Sequence, residues 1–133
     1  MQQPPVPTVR VVDSNTSTVK LNIIEGGGNA KVALWPGNGA LYRSFQVIDL
    51  SPGSATIALS HASDCVYYVI EGQGAIIDAA SLEEVPLTEG AMVHIDRGDG
   101  YRLKAAPSQG LKLLGGPCPP DPALYDYIQA GGA

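Results

Sequence analysis

Apolar positions along this chain fall in short alternating runs, most of them closed by Gly or Pro. Thr18–Ile24 is followed by EGGGN (Glu25–Asn29), Lys31–Trp35 by PGNG (Pro36–Gly39), and Tyr42–Leu50 by SPG (Ser51–Gly53). Thr56–Leu59, Cys65–Glu71, Gly74–Asp78, Ala91–Ile95, Tyr101–Ala105 and Gly110–Leu114 continue the series. Runs this short, rich in β-branched residues and bounded by turn residues, predict strands rather than helices. The 3.6-residue period is absent until the C-terminus, where DPALYDYIQA (Asp121–Ala130) predicts a short helix. Asp121 is its expected N-cap and Pro122 its first helical residue. The pattern predicts one all-β domain over residues 1–133, a sandwich or barrel with a short C-terminal helix.

Side chains two apart on a strand share a face, so parity sorts inward from outward positions. The stretch Ser60–Gly74, SHASDCVYYVIEGQG, reads as a β-hairpin turning at Gly72–Gly74. With Val69 inward, Tyr67, Cys65, Ser63 and His61 fall on the same face. Val93 and Ile95 share a face from which His94 points away, which predicts a packing or surface role for His94. Tyr101 and Leu103 lie opposite Arg102 and Lys104.

The 133 residues suffice for one real core. Eight basic against 13 acidic residues give a net charge of −5, which argues against nucleic acid or an anionic membrane as the main partner. No 18-residue apolar run predicts a transmembrane helix. The start, MQQPPVPTVR, lacks the features of a secretory leader, so a cytoplasmic location is expected. Cys65 and Cys118 form neither a disulfide framework nor a paired ligand spacing. Cys118 reads as a small residue in the Pro-rich loop GGPCPPDP.

Two segments resemble the paired motifs of the cupin superfamily, double-stranded β-helix barrels of the jelly-roll type. The first runs from Gly53 into YYVIEGQG; the second is LTEGAMVHIDRGDGY, Leu87–Tyr101. The resemblance covers roughly residues 40 to 115 and implies the cupin barrel. Metal-binding cupins place two His and a Glu or Gln in the first motif and a third His in the second. Aligned on Gly72, those positions hold Leu59, His61, Cys65 and Tyr101, so one ligand in four matches. Asp96 stands at the usual Pro of the second turn, and Ala91 at the Asp after Gly90. The run SDCVYYVIEGQG is also similar to the metal-independent nucleoside dehydratase cupins, through Tyr67, Tyr68, Val69, Gly72, Gln73 and Gly74.

The resemblance implies an enzyme without cofactor or metal, of the lyase or isomerase type. It would abstract a proton next to a carbonyl of a small polar metabolite such as a sugar or nucleoside. His61 is the candidate proton-transfer group, with Tyr67 and Tyr101 polarising substrate oxygens. Cys65 is a cavity-lining residue unless a cationic neighbour activates it. Ser63 shares its face, and Lys20, Arg43 and Trp35 are further candidate substrate contacts. Two alternatives stay open: a non-catalytic small-molecule-binding barrel, and a metal-dependent oxygenase or isomerase using His61, Cys65 and Tyr101. Family resemblance also implies a homodimer, for which Tyr68, Ile70 and Leu50 offer apolar surface.

Overall fold

The computed structural model describes residues 9–16 and 19–128. The first eight residues, read above for a leader, and the last two positions of the expected helix lie outside the described residues. Nine strands form: β1 (Ile24–Glu25), β2 (Gly28–Leu34), β3 (Phe45–Leu50), β4 (Ala55–Thr56), β5 (Cys65–Asp78), β6 (Glu84–Thr88), β7 (Met92–Ile95), β8 (Tyr101–Ala105) and β9 (Leu111–Pro117). All pairings are antiparallel and together they make a nearly closed barrel.

β5 organises the barrel. Its first half pairs with β7 and β9, and its second half with β6 and β8. One sheet therefore runs β2-β3-β9-β5-β7 and the other β1-β4-β8-β5-β6, with β5 common to both. The expected hairpin at Gly72–Gly74 is instead this single 14-residue strand. A register shift between Val69 and Glu71, and a left-handed φ of 94° at Gly72, bend the strand from one sheet into the other. Neighbouring backbone crowds the bend: a Cβ on Gly72 would meet the Gly110 carbonyl oxygen, and one on Gly74 that of Lys104. Glycine at these positions serves close approach within a continuous strand, not a chain reversal.

Strand parity holds on either side. Cys65, Tyr67 and Val69 are buried while Val66, Tyr68 and Ile70 are exposed. In β3, Gln46, Ile48 and Leu50 face inward, so Leu50 is fully buried and cannot belong to an outer contact face as expected above. The outward apolar stripe of this sheet is Val66, Tyr68, Ile70 and Met92. Burial of side chains such as Ile48, Val69, Leu103 and Leu113 contributes roughly 1.5–3 kcal/mol each relative to exposure.

Three further elements differ from the expectation. Of the expected run Thr18–Ile24, Thr18 lies outside the described residues and the rest is not a continuous strand; Lys20 and Leu21 make single bridges to Lys31 and Ile128 before β1 begins. β6 has no counterpart among the predicted runs; it pairs only with β5, an edge position where Pro86 is tolerated. The C-terminal element is a 3-10 turn, Pro122–Tyr127, not an α-helix. Asp121 does cap it, accepting a hydrogen bond from the Ala123 amide at 3.1 Å, with Pro122 first in the turn. Among the described residues no helix is long and apolar enough to cross a membrane.

Candidate functional site

Four buried side chains form a hydrogen-bonded chain in the barrel. Tyr67 comes from β5, Tyr101 opens β8, His61 lies in the loop before β5, and Asp121 lies just after β9. The Asp121 carboxylate is 3.1 Å from His61 Nδ1, and His61 Nε2 is 2.7 Å from Tyr101 Oη. The Tyr101 and Tyr67 hydroxyls are 2.7 Å apart, and Cys65 Sγ lies 4.0 Å from Tyr101 Oη. No member of the chain is more than 5% exposed.

Asp121 gives the chain a direction. A carboxylate only accepts, so His61 presents its Nδ1 proton to Asp121 and an acceptor Nε2 to Tyr101. Tyr101 then donates to His61, and Tyr67 donates to Tyr101. The histidine tautomer follows from this hydrogen-bond pattern. Burial lowers the His61 pKa below the ordinary 6.5, while the hydrogen bond and negative charge of Asp121 oppose the shift. At neutral pH the imidazole is uncharged and able to take a proton. Burial raises both tyrosines well above the usual 10. Burial likewise pushes the Cys65 thiol up to about 12, against opposing hydrogen bonds from Tyr67 and Tyr101. Cys65 is therefore a thiol filling space, not a nucleophile.

The chain touches two cavities. His61 and Asp121 line one of about 200 Å³, closed on its other side by Leu124 and Tyr127 of the C-terminal turn. Tyr101 lines the other, about 410 Å³, at the opening between β6 and β7. Its walls include Ile76, Val85, Leu87, Met92, Val93 and Ile95. Among the described residues Tyr101 is the one member of the chain that lines this larger cavity.

The structure thus brings together His61, Cys65, Tyr67 and Tyr101. It places the other candidates elsewhere. The Ser63 hydroxyl donates to the Pro119 carbonyl. Lys20 is exposed beside Lys31, and Arg43 lines a separate surface depression with Arg10 and Tyr42. Trp35 packs against Tyr125, ring centroids 4.8 Å apart, and the Tyr125 hydroxyl donates to Ser44. Asp121, which sequence reasoning assigned only to capping, joins this cluster. It lies 60 residues from His61, and no spacing links them.

The donor set does not fit the metal that the resemblance to metal-binding cupins implies. His61 Nε2, the nitrogen left to ligate, instead accepts from the Tyr101 hydroxyl at 2.7 Å. Tyr101 and Cys65 would both have to lose protons that burial holds firmly. Leu59, at the first His position, is a buried apolar residue. A separate group, Asp64, His94 and Asp96, is exposed on the surface, as parity predicts for His94, and includes a 2.9 Å His94–Asp96 pair.

Comparison with solved structures gives the class. A predicted oxalate decarboxylase from Thermotoga maritima aligns over 84% of this chain and all of its own, at 22% identity and TM-score 0.68. The polyketide cyclase RemF from Streptomyces resistomycificus aligns over 86% of this chain and 82% of its own, at 18% identity and TM-score 0.71. An RmlC-like cupin from Shewanella frigidimarina covers 87% of this chain and 96% of its own, at 14% identity and TM-score 0.67. The chain folds as a cupin, a double-stranded β-helix barrel. No family model and no curated protein sequence matches it.

Proposed function

We propose that this protein is a metal-independent cupin enzyme of the lyase or isomerase type, acting on a small metabolite such as a sugar or nucleoside. The observation that supports it is the buried Asp121–His61–Tyr101–Tyr67 chain with Tyr101 at the larger cavity. The neighbours include a predicted decarboxylase and a cyclase, so the fold alone does not choose a reaction.

Tyr101 is the group that meets substrate. As a base it passes its proton to His61 Nε2 and accepts a proton from the carbon next to a carbonyl. As an acid it returns a proton to carbon, for isomerisation, or to a departing hydroxyl, for dehydration. Asp121 is a positioning residue: it fixes the tautomer that leaves Nε2 free to accept and stabilises the imidazolium formed in the exchange. Tyr67 donates to the Tyr101 oxygen and stabilises charge that develops there. His61 remains the proton-transfer group, acting on substrate through Tyr101.

The test is incubation of the protein with a library of neutral metabolites in D₂O, read by mass spectrometry. Proton abstraction appears as deuterium gain, dehydration as loss of water. On the compound found, Tyr101→Phe and His61→Ala should each lower turnover about 100-fold or more. Full turnover in both variants would refute the assignment, as would stoichiometric iron, nickel, copper or zinc in protein purified without chelator.

A second reading, a non-catalytic binding barrel, draws support from the closure of the chain, whose members are all buried and hydrogen-bonded to one another. Ligands that raise the melting temperature and are recovered unchanged would favour it. Under either reading the outward stripe Val66, Tyr68, Ile70 and Met92 supplies the face for a homodimer.

A further inference from the structure

The walls and rim of the larger cavity differ in character. The walls contributed by Ile76, Leu87, Val93 and Ile95 are apolar, which suits a flat, weakly polar body. At 410 Å³ the cavity lies toward the lower end of the roughly 300–1,000 Å³ range of small-molecule sites. The carboxylates at its edge are Asp78, Glu83 and Asp99, all exposed, and the His94 imidazole also lines it. None of the eight Lys and Arg residues of the chain lines it. Lys20 and Arg43, candidate substrate contacts in the sequence, lie away from it. The nearby Lys104 ammonium is paired with Glu84 at 3.6 Å.

A carboxylate or phosphate entering this cavity would meet negative charge with no built cationic partner, and its desolvation would go uncompensated. An uncharged molecule loses nothing at the rim and gains from the apolar walls. A cation is favoured by the rim but has no buried partner farther in. Tyr101 is the member of the buried chain that lines the cavity, and its hydroxyl, donating to His61 and accepting from Tyr67, can only accept from a ligand.

We propose that the larger cavity accepts an uncharged small molecule with an apolar body and one hydroxyl that donates to Tyr101, and discriminates against anions. A neutral alcohol on an apolar body would be accepted; its phosphorylated or carboxylated counterpart would not. This rests on the acid–base reading for the identity of the site and narrows the substrate class.

Three probes of one shape test it by isothermal titration calorimetry at pH 7 and low salt: 2-naphthol, 2-naphthylmethylammonium and 2-naphthoate. The neutral and cationic probes should bind, with naphthoate about three- to tenfold weaker. The gap should close in the double variant Glu83→Gln, Asp99→Asn, both at exposed positions. Val93→Trp, which fills the cavity, should weaken all three probes, with circular dichroism confirming that it folds. The charge series on the unaltered protein stands independently of either variant. Naphthoate binding as tightly as naphthol, a gap that survives neutralisation of the rim, or no binding by any probe would overturn the proposal. Binding requires no turnover, so failure of the acid–base reading in D₂O leaves this result separately legible.

Discussion

His61 Nε2 and Tyr101 Oη stand 2.7 Å apart inside the barrel, 40 residues apart in sequence. Each is held by a second partner: Asp121 on the far nitrogen of His61, and Tyr67 on the hydroxyl of Tyr101. The pair therefore cannot relax by rotating one ring without breaking a buried hydrogen bond on the other side. That rigidity is what an acid–base pair needs, because proton transfer depends on donor–acceptor distance.

The pH dependence of stability follows from His61. Burial depresses its folded pKa below 6.5, Asp121 opposing. Between the two values the unfolded chain binds a proton that the folded protein does not. The stability from this group is complete above about pH 6.5 and is lost as pH falls through the folded pKa. Melting temperatures from pH 8 to 5 should fall more steeply for the unaltered protein than for His61→Asn. Parallel curves would contradict the buried neutral imidazole.

The two tyrosines should differ in their contribution to stability. Tyr101→Phe removes the donor to His61 and the acceptor for Tyr67, leaving two buried groups unsatisfied, at about 1–3 kcal/mol each. Tyr67→Phe removes the end of the chain, at about 0.5–1.5 kcal/mol. Urea denaturation should rank Tyr101→Phe as the more destabilised; the reverse order would show that Tyr101 does not link the chain.

Thiol reactivity should separate the cysteines. Cys65 is buried and its pKa is pushed up to about 12, whereas Cys118 is exposed. At pH 8 an aromatic disulfide reagent should titrate one thiol in the folded protein and two after unfolding, and Cys118→Ser should abolish the native reaction. Rapid native labelling of Cys65 would show that the barrel opens beside Tyr67.

The outward stripe bears on assembly. Tyr68 is 43% and Met92 69% exposed, paired across β5 and β7, with Val66 and Ile70 on either side of Tyr68 on the same sheet face. Light scattering should give twice the chain mass, reverting to one with Tyr68→Lys plus Ile70→Glu. A monomer at micromolar concentration in the unaltered protein would remove the dimer.

Sequence and structure agree where local rules dominate. The alternation Cys65–Tyr67–Val69 fixes the inward face because each strand residue reverses the side-chain direction, and the same rule brings Tyr101 and Leu103 inward. The GQG run misleads because glycine serves both chain reversal and close backbone approach, and only the neighbouring strands distinguish the two. β6 has no counterpart among the predicted runs, and its Pro86 is acceptable only because one edge of the strand is unpaired. His61, Tyr67 and Tyr101 are legible as inward polar residues. Asp121 is not, because its contact with His61 arises from how the segment after β9 returns over the barrel. Lys20, Arg43 and Trp35 are drawn in by residue type alone, and nothing in their local pattern records which end of the barrel they occupy.

The direct test of the central claim is the tautomer of His61. Long-range nitrogen–proton correlation on ¹⁵N-histidine-labelled protein at pH 7, with His94→Gln for assignment, reports which ring nitrogen carries the proton. The predicted result is a neutral imidazole protonated at Nδ1, with Nε2 shifted as an acceptor, and loss of that acceptor signature in Tyr101→Phe. A His61 protonated at Nε2, or an imidazolium at pH 7, would contradict the directed chain from Tyr67 through Tyr101 and His61 to Asp121.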